Sequence, residues 1–208
     1  MLGGLMMGPI DPDVDLTALE DADTAAEDAA EEELSASQNI ATPASDVLSG
    51  TDIDDVIDAM DGDDQVNGYA GDDLLSGGRG DDQMLGGDRN DKLIGESGQD
   101  DLHGGFGDDH IDGGDDADEL WGHMDNDTLL GNAGNDNLTG GSGEDVLFGN
   151  DGNDGLHGND GNDSLAGGAG EDVLFGGNGD DYIEGGSDTV RDFLNGGRGD
   201  DLLVAQLS

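Results

Sequence analysis

A chain of 208 residues with 53 acidic and five basic side chains has a formal net charge of −48 at pH 7. That charge excludes nucleic acid and anionic membrane as direct electrostatic partners and leaves cations or a basic surface. One Trp, two Tyr and four Phe beside 41 Gly and no Cys are poor material for a globular core. They also exclude disulfide staples and thiolate metal sites, so stability must come from elsewhere.

Residues 1–10 are apolar but lack a basic flank, and the acids from Asp11 onward follow too soon for a signal-peptide apolar run, so no Sec signal is expected. No stretch approaches the roughly 20 apolar residues of a membrane-spanning helix. Residues 1–45 form a separate segment rich in Ala, Asp and Glu, without Lys or Arg and punctuated by Pro9, Pro12 and Pro43. Thr17 and Glu20 make a capping box ahead of a potentially helical stretch, 16–34. Acid crowding, as at Glu27 and Glu31, opposes that helix, and the segment is expected to be disordered or partly helical.

From residue 46 to the end the chain is organised by repetition. Fifteen consecutive nonapeptides, residues 50–184, read Gly-x-x-Gly-x-Asp-x-(aliphatic)-x without a slip. The sixth position is Asp55, Asp64, Asp73, Asp82, Asp91, Asp100, Asp109, Asp118, Asp127, Asp136, Asp145, Asp154, Asp163, Asp172 and Asp181. The eighth position is aliphatic throughout, from Ile57 through Leu129 to Ile183. Gly opens every unit except that of Ala59, and the fourth position departs from Gly at Ile53, Arg89, Asp116 and Asp125. An eleven-residue unit, 185–195, carries Asp192 and Leu194, and the last unit restores the pattern with Asp201 and Leu203. Runs such as Val146, Leu147 and Phe148 are too short for a helix and lie between Gly-rich turns, so each unit is expected to hold one very short strand. Alternation puts position eight on one face and positions seven and nine on the other.

These units resemble the RTX repeats of haemolysin-type calcium-binding proteins, as in Gly176, Gly177, Asn178, Gly179, Asp180, Asp181, Tyr182, Ile183 and Glu184. The resemblance implies an all-β fold, a right-handed parallel β-roll in which two nonapeptides make one coil. Odd units would form one sheet and even units the other, with the eighth-position aliphatics meeting between them. It implies calcium between stacked turns along both edges, up to about a dozen ions, bracketed by the sixth-position Asp of turns one coil apart: Asp55 with Asp73, Asp64 with Asp82 and onward to Asp201. The chemistry agrees, because calcium takes six to eight oxygen ligands and a turn of one Asp with free carbonyls supplies them. One small aliphatic per nine residues cannot offset the entropy of ordering the chain, so folding is expected to require the ion.

Other chemistry finds little footing. No His-Glu-x-x-His or Gly-x-Ser-x-Gly pattern and no EF-hand loop occurs in the sequence, and paired carboxylates such as Asp72 and Asp73 recur in nearly every turn, so no enzyme is expected. Of the four His, His103 and His157 lie three coils apart on one sheet, ~14 Å by strand spacing. His110 falls on the other sheet and His123 in a turn, so all four read as surface residues. Outward Val56, Leu74, Ile94, Leu130, Val146, Phe148 and Tyr182 make the odd-unit sheet the candidate for self-association or a partner. The resemblance implies a secreted, extracellular protein exported by a type I apparatus and folding outside the cell. The alternatives are an accessory module or fragment of a larger exported enzyme or toxin, and an adhesin or matrix component.

Overall fold

A computed structural model describes residues 41–186 and 189–204; the expected helical stretch at 16–34 lies outside them. The described residues contain eighteen strands and no helix. They form two parallel sheets of nine strands, each sheet taking every second strand in sequence order. Partners are offset by one coil of eighteen residues: Leu129 pairs with Ile111 on one side and Leu147 on the other. This is the expected parallel β-roll with odd and even units segregated.

The eighth-position side chains fill the space between the sheets. Val66, Leu75, Leu93, Leu102, Ile111, Leu120 and their successors to Ile183 are buried in one continuous cluster. Burying such side chains stabilises by roughly 1.5 to 3 kcal/mol each. Each strand contributes one inward aliphatic, so the core is a thin layer between the two sheets.

Two features differ from the sequence reading. The described roll begins with a further unit at 41–49, carrying Asp46 and buried Leu48, ahead of the boundary expected at residue 46. Interior strands are also six residues long, as in Thr128–Ala133 and Val146–Asp151, where three-residue strands were expected. The reason is that backbone pairing continues past the first-position glycine: Asn132 pairs with Asn150 and Ala133 with Asp151. Position two takes a left-handed conformation, with φ of 69° at Asn132 and 73° at Asn150. Each strand therefore turns a corner while its ladder continues, and the residues after the corner carry the chain into the turn that holds the next sixth-position Asp.

The outward faces are more alike than the sequence suggests. Val56, Leu74, Phe148 and Tyr182 are exposed on the odd-unit sheet, but Val47, Leu85, Val173 and Phe193 are exposed on the other.

Candidate metal centre

The sixth-position aspartates stack in two columns, one along each edge of the roll. In each column the backbone N–H of one Asp donates to Oδ1 of the Asp one coil later. One edge runs Asp55, Asp73, Asp91, Asp109, Asp127, Asp145, Asp163, Asp181 and Asp201, with Asp109 N to Asp127 Oδ1 at 2.8 Å typical of its interior. The other runs Asp46, Asp64, Asp82, Asp100, Asp118, Asp136, Asp154, Asp172 and Asp192. Asp64 through Asp181 are buried, whereas Asp55 and Asp201, near the two ends of their column, are half-buried. The expected pairs one coil apart are thus brought together. Asp46 and Asp192 join them, although the sequence reading did not count either among the ligands.

The second carboxylate oxygen is the unusual one. Oδ2 is buried and accepts no hydrogen bond at each sixth-position Asp from Asp64 to Asp163, and again at Asp181. A buried carboxylate oxygen without a partner is costly, and most buried polar atoms have one. The first-position glycine explains how Oδ2 fits: a Cβ on Gly131 would meet Asp136 Oδ2 and, at 2.9 Å, the carbonyl oxygen of Gly149 in the next coil. The glycine leaves room for the carboxylate beside a backbone carbonyl. The fourth position places a second carbonyl nearby, since a Cβ on Gly80 would strike the Gly62 carbonyl oxygen one coil earlier. Position-three carbonyls are engaged in coil-to-coil bonds, such as Gly143 N to Asp160 O at 2.8 Å, as are position-six carbonyls, such as Val146 N to Asp127 O at 2.8 Å.

Burial raises the pKa of these groups. Desolvation, offset in part by the backbone N–H bond and reinforced by neighbouring carboxylates, pushes Asp82, Asp91, Asp109, Asp118 and Asp163 up to about 7 and Asp127 to about 8. Asp100 and Asp154 rise to about 6 from the same cause. Two ionised carboxylates one strand step apart, ~5 Å, repel by about 3 kcal/mol at an effective dielectric near 20. A column of them holds together only if protons or cations neutralise it.

The donor set suits a hard cation. Among the described residues no three His, Asp or Glu side chains converge as a side-chain metal cluster, so an ion here would draw its remaining ligands from backbone carbonyls, as oxygen-seeking cations do. The fourth-position departures alter the turn locally. Arg89, Asp116 and Asp125 adopt φ of 83°, 79° and 72°, whereas Gly62, Gly80 and Gly143 in the same place adopt 135°, 126° and 141°.

A second ladder lies outside each column and runs the opposite way. The fifth-position side chain of one coil accepts from the fifth-position N–H of the next, as in Asp81 N to Asp63 Oδ1 at 3.1 Å, Asn126 N to Asp108 Oδ1 at 2.9 Å and Glu144 N to Asn126 Oδ1 at 2.8 Å. The sequence signal was present, since position five is nearly always Asp, Asn, Glu or Gln, but the mixture conceals it.

The histidines are placed differently from expectation. His103 and His123 are hydrogen-bonded, Nδ1 to Nε2, at 2.8 Å. His103 and His157 remain on separate coils of one sheet, with His157 stacked on Phe175.

The model of the RTX calcium-binding nonapeptide repeat matches residues 49–84, 85–120, 121–156, 157–189 and 191–206. No curated protein matches the chain.

Proposed function

The chain belongs to the RTX calcium-binding nonapeptide-repeat family, and from that premise we propose that its sixth-position carboxylates are the calcium ligands and that the ions complete the fold. The observation that carries this reading is the column of buried Oδ2 atoms without partners, with the Gly149 carbonyl close by at Asp136. The ligands are Asp55, Asp64, Asp73, Asp82, Asp91, Asp100, Asp109, Asp118, Asp127, Asp136, Asp145, Asp154, Asp163, Asp172, Asp181 and Asp201, joined by Asp46 and Asp192. Up to about a dozen ions would be held, each using carboxylate and carbonyl oxygens from consecutive coils. The turns of Ile53, Arg89, Asp116 and Asp125 would bind most weakly.

The role is structural and non-enzymatic. A chain whose buried carboxylates repel one another until a cation arrives stays unfolded where calcium is scarce and folds where it is plentiful. That behaviour suits a protein exported unfolded, through a type I apparatus, and folding outside the cell; an accessory module of a larger exported protein would use it in the same way. Self-association or a partner would engage outward apolar residues such as Phe148 and Tyr182.

Calorimetric titration of the full chain with calcium tests the ligand assignment. Several ions per chain are expected, and Asp100→Asn combined with Asp118→Asn and Asp136→Asn should lower the number bound. A triple variant that binds as many ions as tightly as the parent overturns the assignment.

A further inference from the structure

The outer face of the even-unit sheet carries a row of stacked rings with one rung left out. His103 Nδ1 and His123 Nε2 meet end to end at 2.8 Å, making a flat pair of imidazoles. The Trp121 indole lies within 20° of parallel to both rings, its centroid 6.1 Å from each. Two coils further on, His157 stacks on Phe175 at 5.1 Å. These side chains share one register on neighbouring strands: His103 beside Trp121, Trp121 beside Thr139, Thr139 beside His157 and His157 beside Phe175. From His103 to Phe175, Thr139 is the one member of the row without a ring.

The gap continues past the corner of the strand. Gly141 lies between His123 and Asn159, and Ser142 between Met124 and Asp160. From Thr139 onward the strand Asn137–Ser142 therefore carries small residues where the strands on both sides carry large ones. The result is a groove of about 360 Å³ with that strand as its floor, Trp121 and Met124 on one wall and Asn159 and Asp160 on the other. The walls stand two strand steps apart, ~9.6 Å, which leaves room for one extended side chain ending in a planar group.

The walls are chemically unlike. One is the indole, whose other face is backed by the histidine pair, with exposed Met124 beside it. On the other, Asp160 Oδ1 accepts from Asn178 Nδ2 at 2.6 Å, which steadies the carboxylate and leaves Oδ2 for a ligand. Glu119 stands two residues before Trp121 on the same outward face, and the chain carries a net charge of −48, so the groove selects cations over anions. A guanidinium stacks on an indole and forks onto a carboxylate, whereas an ammonium is a compact, strongly hydrated charge that gains less from an aromatic wall. Burial and the neighbouring His103 hold the His123 imidazole below the ordinary range, so that ring does not repel a cation at neutral pH. We propose that this groove docks an arginine side chain of a basic polypeptide partner, its guanidinium taking the place of the absent ring between Trp121 and Asp160. The groove lies on the outer sheet face, apart from the turn columns, so partner and calcium can be bound together.

The chain contains one Trp, and it reports on this groove directly. In excess calcium, the full chain should bind the amidated peptide Gly-Arg-Gly-Arg-Gly about five-fold or more tighter in calorimetry than the same peptide with Lys for Arg. Binding should change Trp121 fluorescence saturably. Thr139→Phe supplies the missing ring and should weaken the Arg peptide by about ten-fold. The same row already carries Phe175, so the roll accommodates that change, which circular dichroism in calcium verifies. Asp160→Asn should weaken the peptide by a similar factor and decides the outcome if the first variant misfolds. Ala166→Phe, on the opposite sheet, should leave binding unchanged. No binding of the Arg peptide, equal affinity for its Lys twin, binding that leaves Trp121 fluorescence unaltered, or parent-like affinity in both groove variants overturns the proposal.

Discussion

The interior coils and the last coil carry the same nonapeptide, yet they do not share the same environment. Leu129 is 0% exposed, whereas Leu203, also at position eight, is 42% exposed. Asp109 N reaches Asp127 Oδ1 at 2.8 Å, while Asp181 N reaches Asp201 Oδ1 at 3.1 Å. Asp127 is buried and Asp201 only half-buried. The repeat is therefore not the unit of stability. Its neighbours are, as in other solenoids whose coils bury one another's faces.

The largest expected effect is one the interior columns produce together. Burial raises the pKa of the column carboxyls, to about 6 at Asp100 and Asp154, about 7 at Asp82 and about 8 at Asp127, against about 3.9 in an unfolded chain. The folded, calcium-free roll thus binds more protons than the unfolded chain between those values, and its stability is present at acid pH and lost as pH rises through about 6 to 8. In excess chelator, strand content measured by circular dichroism should be higher at pH 5.5 than at pH 8.5. In excess calcium the trend should invert, because protons then compete with the ion. An identical pH profile with and without calcium would break the account of the columns.

Core truncation sharpens the comparison between regions. Leu129→Ala should cost about 2 to 5 kcal/mol in chemical denaturation with excess calcium, the range for buried leucines. Leu203→Ala should cost under about 1 kcal/mol, because its side chain is already partly in water. Equal losses would mean that the end coil is as well packed as the middle.

Asp127→Asn changes sign with conditions. Asparagine keeps an Oδ1 acceptor for Asp109 N–H but removes the buried charge. With calcium the variant should be less stable by about 1 to 3 kcal/mol, and without calcium slightly more stable than the parent. The corresponding Asp201→Asn change should be smaller in both directions. Smallest of all, Asn126→Ala removes one acceptor from the fifth-position ladder and should cost about 1 kcal/mol, measured as a shift in denaturation midpoint.

Much of the fold was legible because the repeat is strict where geometry is strict. Position eight faces the core in every interior coil and position six faces the column, so one aliphatic and one Asp every nine residues reveal both. The unit at 41–49 was missed because Ala41 and Ala44 stand where glycines mark the other units, although Asp46 and Leu48 keep the spacing. Strand length was underestimated because ladder bonds use backbone and ignore the side-chain pattern that ends at position nine. The fifth-position ladder was hidden by its mixture of acids and amides. The His103–His123 contact could not be seen by counting along a flat strand, because it depends on the left-handed corner at position two. A non-glycine at that position, twenty residues after a polar position nine, is the signal to look for in such repeats.

The most direct test of the central claim, that cations neutralising the buried columns make the roll possible, is far-UV circular dichroism of the full chain titrated with calcium from excess chelator at pH 8. The account predicts a coil spectrum without calcium and a cooperative rise of strand signal as the ion is added. The same strand content in chelator as in millimolar calcium would contradict it.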